Sequence, residues 1–219
     1  MKRIIYISFI ILLFSCTTHK KANTLKTGTY RATLTVQDKQ ELPFIFKVLN
    51  DTLIEIYNAD EIIKVDEISF SNDSVTIQTP VFEGYIRAKI HDNGLSGYFI
   101  KQSLDRIVPF KAVKSSKRFQ QKNNALYNIT GNWETIFSKD DDTGRYIAKG
   151  IFNQIGSKVT GTFRTTTGDY RYLEGVVDGD SLKLSTFDGA HAFLFTAKVT
   201  DSTLIGNFYS GNHWKEPFE

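Results

Sequence analysis

Apolar and polar residues alternate strictly along much of the chain, and this pattern constrains the fold more than any other feature. Tyr30, Ala32, Leu34 and Val36 share one parity, with arginine or threonine between them. The same two-residue period recurs over residues 42–48, 75–77, 86–90, 95–100 and 107–113. A period of two is typical of strands with one buried face. Short turns such as Asp92-Asn93-Gly94 separate these runs, so residues 28–113 predict an antiparallel β-meander of about eight strands.

A second block of the same kind follows residue 127. Short alternating segments lie at residues 133–137, 146–154, 158–165, 170–177, 181–187, 190–199 and 204–209. Between the blocks, residues 114–127 are polar and carry several basic side chains, which predicts either a linker or one short helix. The 17 phenylalanines, 10 tyrosines and 2 tryptophans, against one methionine, also favour pleated sheets over helix bundles.

The two blocks resemble each other in sequence. Gly28-Thr29-Tyr30 matches Gly131-Asn132-Trp133, and further matches join residues 73–77 with 180–184, 88–90 with 197–199, and 95–99 with 204–208. Four matches in the same order indicate an internal duplication. A meander with one apolar face must close or be covered, because open edges pair with other chains. We therefore expect an all-β protein of two tandem, internally repeated antiparallel β-meanders, each a small barrel or half-barrel, over residues 28–113 and 128–219.

The N-terminal residues have the composition of an export signal. Two basic residues precede an apolar run over residues 4–14, which is too short to span a bilayer as a permanent helix. The tetrad Leu13-Phe14-Ser15-Cys16 is similar to a bacterial lipobox, in which the cysteine is lipidated and becomes the new N-terminus. We expect residues 1–15 to be a lipoprotein signal peptide, Cys16 to carry the lipid, and residues 16–27 to be a tether. An ordinary secretory signal with an incidental cysteine is the alternative.

Charge and motifs narrow the possible functions. Loss of Lys2 and Arg3 with the signal peptide reduces 27 basic residues to 25, against 24 acidic ones. A net charge near +1 gives no reason to expect a nucleic-acid partner. The only cysteine is committed to lipid, so no thiol remains for redox chemistry or metal ligation, and we expect no cofactor and no metal. No standard catalytic motif occurs in the sequence, and whether the chain is an enzyme stays open.

Three turns in the second block combine polar and aromatic side chains. They lie within residues 164–175, 187–193 and 210–214, and in the second of them His191 shares the parity of Phe193. Turns that meet at a barrel mouth can form a ligand site from apolar walls and a few polar groups. The candidate ligand-binding residues are Arg164, Asp169, Tyr170, Arg171, Asp188, His191, His213 and Trp214.

Each of these residues also has an ordinary structural interpretation. His191 can be a half-buried, hydrogen-bonded histidine at a strand end, and His213 with Trp214 can pack over the barrel end. The acidic run at residues 140–142 lacks the ligand spacing of a calcium loop and is expected to be a solvated hairpin tip. Glu134, Asp169, Glu174 and Asp188 are the candidates for a catalytic carboxylate pair. Alternation does not tell which of them are close.

Several of these segments together resemble a known family. They are the run Glu41-Leu42-Pro43-Phe44-x-Phe46, residues 166–175, residues 187–195 and Gly211-x-His213-Trp214-x-Glu216-Pro217. They are similar to the N-terminal region of Bacteroidetes lipoproteins of the TlpA-type thiol-disulfide oxidoreductase family. Members of that family continue into a thioredoxin-like domain with a Cys-x-x-Cys motif, whereas this sequence stops at Glu219. The resemblance implies an accessory part of such a reductase, in the cell envelope and facing the periplasm.

Two functions of different classes follow. The first is a non-catalytic module, anchored to the membrane by its lipid, that recognises a protein partner, a substrate or a thioredoxin-like domain. The second is a stand-alone β-barrel lipoprotein that binds or hydrolyses a small molecule through the residues at the barrel mouth.

Overall fold

Strands dominate the structure, a computed structural model that describes residues 24–80, 83–170 and 172–219. The first nine strands are β1 (Gly28–Thr35), β2 (Glu41–Asn50), β3 (Leu53–Asn58), β4 (Glu61–Val65), β5 (Ile68–Ser71), β6 (Ser74–Gln78), β7 (Tyr85–His91), β8 (Gly94–Lys101) and β9 (Arg106–Lys114). The other eight are β10 (Gly131–Phe137), β11 (Tyr146–Ile155), β12 (Lys158–Arg164), β13 (Leu173–Asp178), β14 (Ser181–Phe187), β15 (Ala192–Val199), β16 (Leu204–Ser210) and β17 (Trp214–Phe218). Two short 3-10 turns, Gln37–Lys39 and Gln102–Leu104, complete the regular elements. The predicted all-β class with two tandem antiparallel sheets is confirmed.

The first unit is a nine-stranded sheet that curls almost into a ring. Its strand order is β4-β3-β2-β1-β9-β8-β7-β6-β5, so the two edge strands follow each other in the chain. The segment over residues 61–71 pairs with β3 through β4 and then with β6 through β5, with Asp66 and Glu67 between them. The ring is open here, because β4 and β5 are the two edge strands and do not pair with each other. We call residues 61–71 the split strand.

The second unit is a closed barrel of eight strands, β10 to β17 in chain order. Here β13 pairs with both neighbours at once, because Glu174, Gly175 and Val176 each face a residue of β12 and one of β14. Phenyl rings in stacked and edge-on contacts fill the interior; they belong to Phe137, Phe152, Phe163, Phe195, Phe208 and Phe218. A ligand must therefore bind at an end or on the outside of this barrel.

The two units repeat each other in register. Ala88 pairs with Gly97 in the first unit, and Ala197 pairs with Gly206 in the second. Three further features recur at matching positions: ion pairs (Lys89–Asp73, Lys198–Asp180), ring-to-carbonyl hydrogen bonds (Tyr30–Lys26, Trp133–Ile129) and glycines with φ of 132° (Gly28, Gly131). A Cβ is strained at that φ, which explains glycine at the start of both units. The structure supports the repeat that the sequence indicated.

The outside of the barrel supplies part of the core of the first unit. Four residues on its surface are buried against the first sheet: Phe187, Ala192, Leu194 and Tyr209. The ring of Phe187 stacks on Phe44 with centroids 4.2 Å apart and meets Phe99 edge-on at 5.0 Å. Aromatic pairs of this kind add to the stability gained from burial. The two units therefore form one packed body.

The turn between β14 and β15 docks at the open side of the first sheet. Asn58, at the end of β3, is fully buried and donates a 2.8 Å hydrogen bond to the carbonyl of Phe187. Its side-chain oxygen accepts the Phe187 N–H at 3.1 Å. On the other side of the opening, a Cβ on Gly189 would lie within 2.6 Å of three Thr79 side-chain atoms, and Gly189 has φ of 92°. Only glycine allows the turn to approach so closely.

Arg118 places a buried charge at the junction. It is 5% exposed; its guanidinium donates to the carbonyl of Tyr57 and, at 3.2 Å, to the carbonyl of Ser185. Its Nε lies 4.0 Å from a carboxylate oxygen of Glu174. Burial lowers the pKa of Arg118, and the charge of Glu174 partly offsets that effect.

The segment over residues 114–127, predicted to be a linker or one short helix, contains no helix. Part of it, around Arg118, is packed between the units.

We expect Phe187→Ala to lower the free energy of unfolding by about 3–5 kcal/mol, because the change leaves a cavity against Phe44 and Phe99. Urea denaturation monitored by tryptophan fluorescence measures this loss. Tyr98→Ala removes a ring that is 51% exposed and serves as the control, with an expected loss of at most about 1 kcal/mol. Equal losses in the two variants would show that the Phe187 contact does not hold the units together.

Candidate functional site

A cleft of about 600 Å³ lies at the junction of the two units, beside one end of the barrel. Strand β4 forms the wall from the first unit, and the β12–β13 loop and the β14–β15 turn form the wall from the second. The chemically active groups are three carboxylates, one imidazole and two aromatic rings, from Glu61, Asp169, Asp188, His191, Tyr170 and Phe193. Three threonines, Ile63 and Gly168 complete the lining.

Asp188 and His191 form a hydrogen-bonded pair within the β14–β15 turn. One carboxylate oxygen of Asp188 accepts the N–H groups of Ala190 at 2.8 Å and His191 at 2.6 Å. The other lies 2.8 Å from the Nδ1 of His191, whose ring packs 5.0 Å from Phe193. Burial raises the pKa of Asp188, but the hydrogen bonds from His191 and Ala190 outweigh it and hold the pKa below its ordinary value. The pair thus holds the imidazole in one orientation at the barrel rim.

A compact threonine turn sets the opposite wall of the cleft. The hydroxyl oxygen of Thr165 accepts the N–H groups of Thr167 at 3.3 Å and Gly168 at 3.1 Å. The Thr165 N–H in turn donates to the carbonyl of Gly168 at 2.8 Å. Strand β13 begins only at Leu173, after Tyr172 with φ of 57°. This break in the alternation lets Tyr170 turn toward the barrel interior rather than continue a strand.

Tyr170 connects the cleft to a polar chain inside the barrel end. Its hydroxyl lies 2.9 Å from that of Tyr146, and Tyr146 donates to the carboxylate of Glu216 at 2.8 Å. Since each phenol has one proton, Tyr170 is the donor to Tyr146. Ser138 donates to the second carboxylate oxygen of Glu216 at 2.8 Å, and Glu216 is 6% exposed. Burial, together with the neighbouring Tyr170 and Glu216, raises the pKa of Tyr146 and keeps the phenol protonated.

The structure brings four of the eight candidate residues together, Asp169, Tyr170, Asp188 and His191. Arg164 lies in a separate groove on the barrel wall beside Trp133. His213 and Trp214, at the start of β17, are exposed and outside the cleft, with Trp214 52% exposed. Arg171 and the predicted lipidation site Cys16 lie outside the described residues, as do the signal peptide and most of the tether.

The four carboxylates considered for hydrolysis are also divided. Asp169 and Asp188 line the cleft, whereas Glu174 faces Arg118 at the junction and accepts the N–H of Ala59 at 3.0 Å. Glu134 belongs to the barrel wall near the Arg164 groove.

Sequence reasoning missed the contribution of the first unit to the cleft. Glu61 and Ile63 lie on β4, within residues 53–71, which the predicted strands of the first block do not include. Ile54 and Ile56 show the period of two there and are 1% and 2% exposed, so the signal for β3 was present. That a turn of the second unit would dock beside β4 is not encoded in any local pattern.

Comparison with protein-family models, with curated proteins and with solved structures finds no match. Within the described ranges, no three histidine, cysteine, aspartate or glutamate side chains are placed so that they could hold one metal ion. No helix in the same ranges has both the length and the apolar character needed to cross a membrane. A role for the cleft must therefore be inferred from its own chemistry.

His191→Ala should raise the pKa of Asp188, because the largest favourable contribution, the imidazole hydrogen bond, is removed while burial remains. Titration of the Asp188 carboxyl carbon by NMR measures the shift. A depressed carboxyl pKa stabilises the fold above the ordinary carboxyl pKa, and that stability is lost as pH falls through the native pKa. The variant should therefore lose less stability than the wild type on acidification. The control His213→Ala should leave the Asp188 midpoint in place; an unchanged midpoint in His191→Ala would show that the imidazole does not act on this carboxylate.

Proposed function

We propose that the protein is a non-catalytic binding module of the cell envelope, anchored through a lipid on Cys16, and that it binds its ligand in the cleft between the units. The supporting observation is that the two walls of the cleft belong to different units that share one core. Phe187 packs in that core. Asp188 and His191, which follow it in the same turn, line the cleft. Walls fixed by packing lose little conformational entropy on binding.

The charge of the cleft favours a small organic cation. Glu61, Asp169 and Asp188 contribute carboxylates, and the described lining includes no lysine or arginine. Carboxylates attract ammonium groups, and the neighbouring ring of Phe193 offers a surface on which a cation or its methylene groups can pack. Anionic ligands would meet like charges, so we propose an amine-bearing ligand or the basic side chain of a partner.

In the accessory interpretation, which rests on the resemblance to TlpA-type lipoproteins, the cleft presents such a partner or substrate to a thioredoxin-like domain on the periplasmic side. No electron-transfer step is assigned to this chain, because its single cysteine is the proposed lipid attachment site. The module contributes recognition only.

One observation favours the second candidate, a stand-alone lipoprotein that hydrolyses a small molecule. A carboxylate hydrogen-bonded to Nδ1 orients an imidazole as in general-base catalysis, and Asp188 and His191 have this arrangement at 2.8 Å. The described lining contains threonine and tyrosine hydroxyls but neither serine nor cysteine. The hydroxyl of Tyr170 is already part of the chain to Glu216, which makes binding the better-supported role.

Isothermal titration with spermidine at low salt tests the binding proposal. We expect saturable binding by the wild type, a loss of affinity of about tenfold in Asp188→Asn, because one charge-assisted contact disappears, and weaker binding at high salt. His213→Ala, an exposed histidine outside the cleft, is the control and should bind as the wild type does.

Absence of spermidine binding, or equal affinity in Asp188→Asn and the wild type, would contradict the proposal for the cleft. Hydrolysis of p-nitrophenyl acetate that is lost in His191→Ala but kept in His213→Ala would instead favour the hydrolytic candidate.

A further inference from the structure

A second groove, of about 510 Å³, lies at the junction of the two units. Its walls come from β1, the start of β2 and the turn between them in the first unit, and from β13, β14 and β15 in the second. Four basic side chains line it, and we call it the basic groove: Arg31, Lys39, Lys122 and Lys183. None of the described residues that line it also lines the cleft.

Both carboxylates of the described lining already have partners. Glu41 pairs with the guanidinium of Arg31 at 3.2 Å. Asp178 accepts the backbone N–H groups of Lys122 at 3.1 Å and Asn123 at 2.6 Å. The bond from Asn123 is the main cause that holds the pKa of Asp178 below its ordinary value. These two bonds also fix the backbone that carries Lys122.

The turn before β2 places Lys39 on the wall of the groove. Asp38 and Lys39 both have left-handed backbones, with φ of 53° and 57°, which are strained in residues that carry a Cβ. Lys215 and the hydroxyl of Tyr209, from the second unit, donate to the Asp38 carboxylate at 2.6 and 3.3 Å. Contacts across the junction therefore hold this turn, and the charge of Asp38 is neutralised by Lys215 rather than by its neighbour.

Three lysines of the basic groove remain without an acidic partner. Among the residues that the structure describes, no carboxylate lies within ion-pair distance of Lys39, Lys122 or Lys183. Like charges gathered in a concave site attract counter-ions and raise their local concentration. The basic groove thus has the electrostatic character of an anion site, opposite to that of the cleft.

The chemical type of these cations favours phosphate over carboxylate. Arginine matches planar carboxylates, but Arg31 already donates to Glu41 and, through Nε at 2.9 Å, to the carbonyl of Arg118. Lysine binds phosphate as a point charge, and a phosphate group offers about two negative charges and three acceptor oxygens at neutral pH. The three lysines come from three separate segments of the chain, so they can approach one phosphate group from several sides.

The basic groove also has an apolar part. Phe119 packs against the core of the first unit, Leu194 is buried in that core, and both line the groove. The volume of the groove is within the range of sites for small organic molecules. An organic phosphate therefore fits the lining better than the inorganic ion does.

We propose that the basic groove binds a phosphorylated organic molecule, with the phosphate group between Lys39, Lys122 and Lys183 and the organic part against Phe119. Soluble phosphate esters and lipid headgroups both carry this chemistry. The proposal is independent of the function proposed for the cleft, because the two sites have opposite charge and share no described residue.

An NMR titration of the protein with phenyl phosphate tests the proposal. We expect saturable shifts of the amides of Lys122 and Thr196, and no shift at His191 in the cleft. Lys183→Gln should weaken binding about threefold to tenfold, because one ammonium contact is lost. Lys149→Gln is the matched control, since it removes an exposed lysine of β11 that lies outside the groove, and it should bind as the wild type does.

Two further ligands define the chemistry and its source. Phthalate, a dicarboxylate with one aromatic ring, should bind more weakly than phenyl phosphate. Vesicles of phosphatidylcholine with and without phosphatidic acid are compared by co-sedimentation with Cys16→Ser, which cannot be lipidated. Binding of phenyl phosphate assigns the site to a soluble ester. Binding only to the vesicles with phosphatidic acid, reduced by Lys183→Gln, assigns it to a lipid headgroup.

The proposal is overturned if neither phenyl phosphate nor the vesicles with phosphatidic acid bind, or if Lys183→Gln binds as tightly as the wild type. Phthalate binding as tight as that of phenyl phosphate would overturn the assignment to phosphate. A failure of spermidine to bind, with phenyl phosphate binding intact, would contradict the proposal for the cleft alone.

Discussion

The burial of Phe187 outside its own barrel is the contact on which the rest of the structure depends. The side chain lies on the outer face of a barrel whose interior is filled by other rings. It packs in the core of the neighbouring sheet, against Phe44 and Phe99. Asn58 satisfies the backbone of the same residue in both directions, so the contact is fixed in position as well as buried. Removal of a polar partner at such a site leaves buried groups unsatisfied, which makes the junction specific as well as stable.

One hairpin serves both the junction and the cleft because its side chains alternate. Phe187 and Leu194 face the first sheet, whereas Phe193 and Phe195 face the barrel interior. At the turn itself the alternation stops, and Asp188 and His191 are left at the rim. The chemistry of the cleft therefore depends on packing that lies directly behind it, and the split strand of the first unit provides the opposite wall through Glu61.

The period-two pattern predicted the class, the two blocks and their repetition, because burial on one face of a strand is a local property. It did not reveal that Arg164, His213 and Trp214 lie outside the cleft. Alternation gives the face on which a residue lies but not its neighbours across the barrel. The continuous apolar run Ala192-Phe193-Leu194-Phe195 indicates a strand that is buried on both faces, because such a strand lacks alternation. Arg118 had no such signal, since a basic residue in a polar segment is exposed in most proteins.

The unequal closure of the two repeats has a consequence for how the chain reaches its native state. The C-terminal barrel surrounds its own apolar residues, but the N-terminal sheet acquires part of its interior from a residue 129 positions further along, as the bond from Asn58 to Phe187 shows. Contacts of such long sequence separation form late, after a large loss of chain entropy. We therefore expect the first unit, which leaves the ribosome first, to complete its folding last, by packing against the barrel that has already folded.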